Sequence, residues 1–163
     1  MDALWLWIAG LGPIVVLAHR LWQCLSTKRP KDPPGLCTVS RFRTASVDPV
    51  PLINEMAQAL LRSGFDVGQW RWEQFGVSLN CQKRGYFLVR MECFDEWILT
   101  VTDLDEDKTS PDGSSTEEQE DLRSVLWCLH ETLAKHHGIR KLRWIPRHQK
   151  HCFFRKESTT PFF

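Results

Sequence analysis

Several absences bound what this chain of 163 residues can do. It has no C-x-x-C pair and no H-E-x-x-H, G-x-S-x-G or glycine-rich phosphate-loop pattern. That removes the common closed zinc sites, the metalloprotease helix, the nucleophile elbow and the nucleotide cradle. No repeat of fixed period occurs, which excludes solenoids and propellers. Net charge is almost missing too, at +1, but the mean conceals three blocks. Residues 19–43 carry six Lys/Arg against one acid, residues 105–121 eight acids against one Lys, and residues 122–163 nine bases against two acids. Acids and bases are therefore segregated along the chain.

Charge is also absent from Ala3 to Ala18, 16 residues, and Leu21, Trp22, Cys24 and Leu25 extend the apolar run. With 22 or 23 residues the run covers the roughly 30 Å hydrocarbon slab of a bilayer, if Arg20 snorkels to the headgroups. Trp5 and Trp7 at one end and Trp22 at the other stand where interfacial aromatics belong. A cleaved export signal would need a basic start and small residues at a cleavage site, and neither is present. An in-plane helix would need a polar face, which residues 3–18 lack. Gly10, Gly12 and Pro13 are tolerated in a membrane helix better than in a soluble one. The expectation is a single transmembrane anchor over residues 1–25. Arg20, Lys28, Arg29 and Lys31 follow it, so the N-terminus is expected outside and the body in the cytosol, at the plasma (inner) membrane.

The six Cys (Cys24, Cys37, Cys81, Cys93, Cys128, Cys152) show no repeating tight spacing and fit reduced thiols of a cytosolic domain. Residues 26–45, rich in proline and base, read as a linker, with Pro30, Pro33, Pro34 and Gly35 opposing regular structure. Residues 46–147 read as the soluble domain, of common size. Asp48-Pro49 ahead and Gly64 behind bracket a helix that presents Ile53, Met56, Ala57, Leu60 and Leu61 on one face. From Val67 to Leu104 the period changes to two. A turn at Lys83-Arg84-Gly85, with Gly85 left-handed, pairs Cys81 with Phe87 and Leu79 with Val89. Trp70 and Trp72 belong to an earlier strand.

After an acidic loop, Ser115 and Glu118 form a capping box for a second helix that buries Leu122, Val125, Leu126, Leu129 and Leu133. A last strand carries Leu142 and Trp144. The expected fold class is α+β: the transmembrane helix plus a two-layer sandwich in the order helix, four-stranded antiparallel meander, helix, strand. Residues 148–163 read as a flexible tail.

Candidate chemistry is sparse. His148, His151, Cys152, His136 and His137 are possible metal ligands, but no closed pattern relates them. Cys128 and His130 lie two apart on a helix and point to different faces. Asp105-x-Asp107 lacks the rest of a calcium loop. No catalytic residue, cofactor or metal is therefore expected. Phe94 and Trp97 beside Asp95 and Glu96 look like exposed aromatics among charges, and with Asp105, Glu106 and Asp107 they form the expected partner-binding surface. The leading functional reading is a membrane-anchored protein that presents a small cytosolic protein-binding domain, as an adaptor, an assembly factor or an immunity-type inhibitor. Its partner would sit at the membrane, with lipid contacted through residues 3–25. The alternatives are a membrane-associated enzyme using a Cys or His, and a lipid-surface or nucleic-acid module; nucleic acid fits poorly with the acidic loop.

Overall fold

The computed structural model describes residues 36–44, 48–104, 116–147 and 156–162. These form β1 (Val39–Thr44), α1 (Val50–Arg62), β2 (Asp66–Val67), β3 (Arg71–Glu73), β4 (Gly76–Gln82), β5 (Tyr86–Cys93), β6 (Trp97–Asp103), α2 (Thr116–Lys135) and β7 (Ile139–Ile145). All seven strands join one antiparallel sheet in the order β2-β4-β5-β6-β1-β7, with β3 also paired to β4.

The expected order of helix, four strands, helix and strand is corrected by this sheet. A strand precedes the first helix and lies between β6 and β7, where it joins the meander to the last strand. β1 falls inside residues 26–45, which read as linker. Its sequence, VSRFRT, breaks the apolar alternation with two arginines, so pattern alone hides it. In the sheet Val39 and Phe42 are fully buried on opposite faces, and Arg41 and Arg43 both reach Glu96.

The membrane expectation is corrected as well. Among the described residues no helix is long and apolar enough to cross a membrane. α1 has 13 residues and exposes Glu55, Gln58 and Arg62. α2 has 20 residues but carries Glu117, Glu118, Glu120, Asp121, Arg123, Glu131 and Lys135. Such charges are prohibitive at bilayer depth. The segment read as a span, with Trp5, Trp7, Arg20, Trp22, Lys28, Arg29 and Lys31, lies outside the described residues. The single-pass assignment, the plasma-membrane location and the orientation that followed from them are withdrawn.

Both helices pack on one face of the sheet. Along β4, β5 and β6, Val77, Leu79, Cys81, Phe87, Val89, Met91, Leu99 and Val101 face them, and α1 contributes Leu52, Ile53, Met56 and Leu60. α2 adds Leu122, Val125, Leu126, Leu129 and Leu133 to the same cluster. Each such side chain gains about 1.5–3 kcal/mol by leaving water. Cys81 pairs with Phe87 and Leu79 with Val89. Gly85 does not adopt the left-handed conformation expected of it; among the described glycines positive φ is found at Gly64. Gly85 is small for another reason, because a Cβ there would press on the Phe87 ring at 2.8 Å. Gly64 ends α1. With φ of +83° it lets its own N–H reach the Leu61 carbonyl and the Phe65 N–H reach that of Leu60. These two bonds form a Schellman close, and the buried Phe65 supplies its apolar contact.

The segment 156–162 packs against the sheet. Trp144 and Ser158 exchange backbone hydrogen bonds of 2.8 Å each, and the Cys37 N–H donates to the Pro161 carbonyl at 2.8 Å. Arg143 and Glu157 add an ion pair of 2.7 Å.

Candidate protein-interaction surface

The aromatic side chains of the described residues range from fully buried to well exposed. Trp144, Phe42 and Phe87 are fully buried, whereas Trp72 is 63% exposed, Phe94 56% and Phe75 50%. These last three come from β3, the β3–β4 turn and the β5–β6 turn, at one end of the sheet, while Trp127, 45% exposed, lies apart on α2. The turns are tied together: the Cys93 N–H donates to the Phe75 carbonyl at 2.9 Å, and the Phe75 and Phe94 rings meet at 5.4 Å. Trp70 supports Trp72 edge-on at 5.8 Å, and its indole N–H donates to Asn54 of α1 at 3.0 Å. The rings are thus held by hydrogen-bonded scaffold while their faces remain in water.

Gly76 makes this end of the sheet possible. A Cβ at this position would collide with the Met91 carbonyl oxygen on the neighbouring strand, a backbone atom that cannot swing aside. Gly76→Ala is expected to cost about 1–2 kcal/mol and to loosen the two turns. Hydrogen exchange at Cys93, whose amide bonds to Phe75, checks this: faster exchange there, with little change at Leu126 in α2, is the expected result.

The surface expected from the sequence was Phe94, Asp95, Glu96, Trp97, Asp105, Glu106 and Asp107, and the structure keeps only part of it together. Phe94 and Asp95 are exposed on the β5–β6 turn. Trp97 is only 6% exposed, since it opens β6 and pairs with Phe42 of β1. Glu96 turns to Arg41 at 3.7 Å and Arg43 at 3.4 Å. Asp105, Glu106 and Asp107 lie outside the described residues. Trp72 and Phe75 were missed as surface residues. Phe75 did carry a signal, an aromatic in the tight turn Glu73-Gln74-Phe75-Gly76, where no core face is within reach. Trp72 carried none, because whether a strand's inward face extends past its covering helix depends on tertiary packing.

The other candidates do not assemble. Among the described residues no three His, Cys, Asp or Glu side chains are placed to share a metal ion. His136 and His137 follow the end of α2, and His148, His151 and Cys152 lie outside the described residues. A groove of about 990 Å³ runs between α1 and α2, lined by Glu55, Arg62, Cys128, Glu131, Lys135 and His136 among others. At its floor the Ser63 hydroxyl approaches the Cys128 sulfur at 3.6 Å. Burial raises the Cys128 thiol, against the opposing pull of Ser63, so it is held protonated. Burial, with the nearby Cys128, pushes Cys81 up to about 12. His130 faces elsewhere: its Nδ1 accepts the Trp144 indole N–H at 3.2 Å, and its ring lies 5.5 Å from that of Trp127. Burial lowers its pKa, in keeping with the neutral ring that this acceptor role requires. Cys128 and His130 thus make no nucleophile–base pair. Comparison of the chain with protein-family models, with curated proteins and with solved structures finds no match.

Proposed function

We infer that this chain is a non-enzymatic protein-interaction domain of the adaptor or inhibitor kind, which engages a polypeptide partner through Trp72, Phe75 and Phe94. One observation carries the reading. Phe75 and Phe94 meet on two hydrogen-bonded turns and Trp72 stands on the adjoining strand β3, and these are the three most exposed large apolar side chains among the described residues. Tryptophan and other aromatics dominate the energetic centres of interfaces because each buries a large area with few rotors to freeze. The rim is polar, with Arg71, Glu73, Gln74 and Asp95 exposed around the rings. An apolar centre with a polar rim is the anatomy of a contact surface.

The test is in-cell crosslinking of the full-length tagged chain, followed by mass spectrometry, with wild type beside Trp72→Ser/Phe75→Ser/Phe94→Ser. The exposed rings contribute little to the core, so the triple variant is expected to unfold at nearly the wild-type temperature. Its specific crosslinked species should be lost. Unchanged crosslinking in the folded variant would refute the reading.

A further inference from the structure

The two edges of the sheet are treated differently. The β7 edge is met by the chain itself at one point, where Trp144 and Ser158 exchange backbone bonds. Among the described residues nothing pairs with the outer side of β3, and Arg71, Trp72 and Glu73 are all exposed. The ladder settles which backbone groups face outward. Glu73 and Gly76 close a two-residue turn, and such closing pairs exchange hydrogen bonds. The Cys93-to-Phe75 bond agrees, since it turns the odd-numbered residues of this turn and β4 toward β5 and leaves the even ones for β3. Arg71 and Glu73 therefore spend their backbone groups on β4. Trp72 presents its N–H and C=O to the open side, and among the described residues neither has a partner.

The side chains on this edge are self-complementary. Trp72 sits opposite Val77 and so lies on the helix-covered face, while Arg71 and Glu73 share the other face with Ser78, which donates to Glu73 at 2.8 Å. Consider a second copy added antiparallel with Trp72 opposite Trp72. Two backbone bonds form between the tryptophans, and their rings meet on one face. On the other face Arg71 of each copy stands opposite Glu73 of its mate, giving two ion pairs related by the two-fold axis. The same register brings each Gln74–Phe75 turn beside the other copy's Gly68–Trp70 segment, next to which the fold leaves a recess of about 340 Å³ lined by Gly68, Gln69 and Trp70 among others. A sheet edge with charges in the order plus, aromatic, minus matches its own reverse, and that is what an isologous interface demands.

We propose that the occupant of the β3 edge is a second copy of this chain, paired through Trp72 to make one continuous sheet across a two-fold axis. This rests on the reading of the aromatic patch as an interaction surface and names its occupant.

Sedimentation of the full chain, from low concentration up to the order of 100 µM, tests it. Wild type is expected to reach twice the 19.0 kDa monomer mass. Arg71→Glu alone, or Glu73→Arg alone, sets like charges opposite one another and should weaken the dimer by about tenfold or more. The double exchange Arg71→Glu/Glu73→Arg restores the pairs in reverse and should restore the dimer. An equimolar mixture of the two single variants should form mixed dimers. Trp72→Pro removes the outward N–H while sparing the β4 ladder, and should be a folded monomer by circular dichroism. A wild type that stays monomeric, or single reversals that leave the dimer intact, would overturn the proposal. If that happens while the patch still crosslinks to another polypeptide, the interaction reading survives with a different occupant; if the patch crosslinks to nothing, both fail.

Discussion

Trp144→Ala is expected to lower the free energy of unfolding by about 3–5 kcal/mol. Trp144 is fully buried in the main core and ties together three parts of the fold. Its backbone pairs with Ser40 of β1 and with Ser158 of the C-terminal segment, and its indole N–H reaches His130 on α2 at 3.2 Å. Alanine would remove the ring's apolar area and leave a cavity that β1, β7 and α2 can only partly close. Trp144→Phe separates the contributions. It keeps most of the packing and loses the N–H donor, so it should cost about 1 kcal/mol beyond any repacking. Urea unfolding followed by circular dichroism measures both, with the denaturant slope unchanged if the unfolded state is unaffected. An alanine cost below that of phenylalanine would show that the indole does not occupy the core as described.

Asp121→Ala should cost about 2–3 kcal/mol, through the loss of hydrogen bonds to a charged group rather than through packing. Asp121, at the start of α2, is only 1% exposed, yet its carboxylate accepts from the Arg84 backbone N–H at 3.0 Å and from its guanidinium at 3.1 and 2.8 Å. These bonds lock the β4–β5 turn onto the helix. Arg84 stays partly in solvent and also reaches Glu117 at 3.4 Å, so the variant does not strand a buried cation. That is why the loss stays below what a fully buried ion pair would show.

The guanidinium bond from Arg84, ahead of its backbone bond and charge, holds the Asp121 carboxyl below its usual value of 3.8, against a smaller opposing effect of burial. Its folded value lies below its unfolded one. Its contribution to stability is therefore complete above the unfolded value and is lost as pH falls through the folded one. The stability difference between wild type and Asp121→Asn should be flat from neutral pH down to about pH 4 and shrink below it. A difference that grows with acidification would contradict the assignment.

How much of this was legible in the sequence depended on whether a residue's neighbours in space were also its neighbours in pattern. α1, β4, β5, β6 and α2 could be read because each carries an apolar stripe of one clear period, and Val125, Leu126, Leu129 and Leu133 are buried as that stripe requires. β1 could not. Its arginines look like linker or topology signal until Glu96, more than fifty residues away, is seen to receive them. The exchange of Trp97 for Trp72 at the surface has the same origin. Trp97 is buried because β1 lies beside it, and with β1 unread it looks like a turn residue among acids. Gly85 shows the converse: the left-handed conformation expected of it is not adopted, and the reason a side chain would not fit there is revealed only by the position of the Phe87 ring.

The most direct test of the central claim, that this end of the sheet is a contact surface, is site-specific photocrosslinking in cells. A photoreactive phenylalanine analogue replaces Phe94 in one variant and exposed Arg123 of α2 in another. The account predicts discrete polypeptide adducts from position 94 that disappear when Trp72→Ser is added, and only background from position 123. Equal adduct yields at the two positions, or none at position 94, would contradict it.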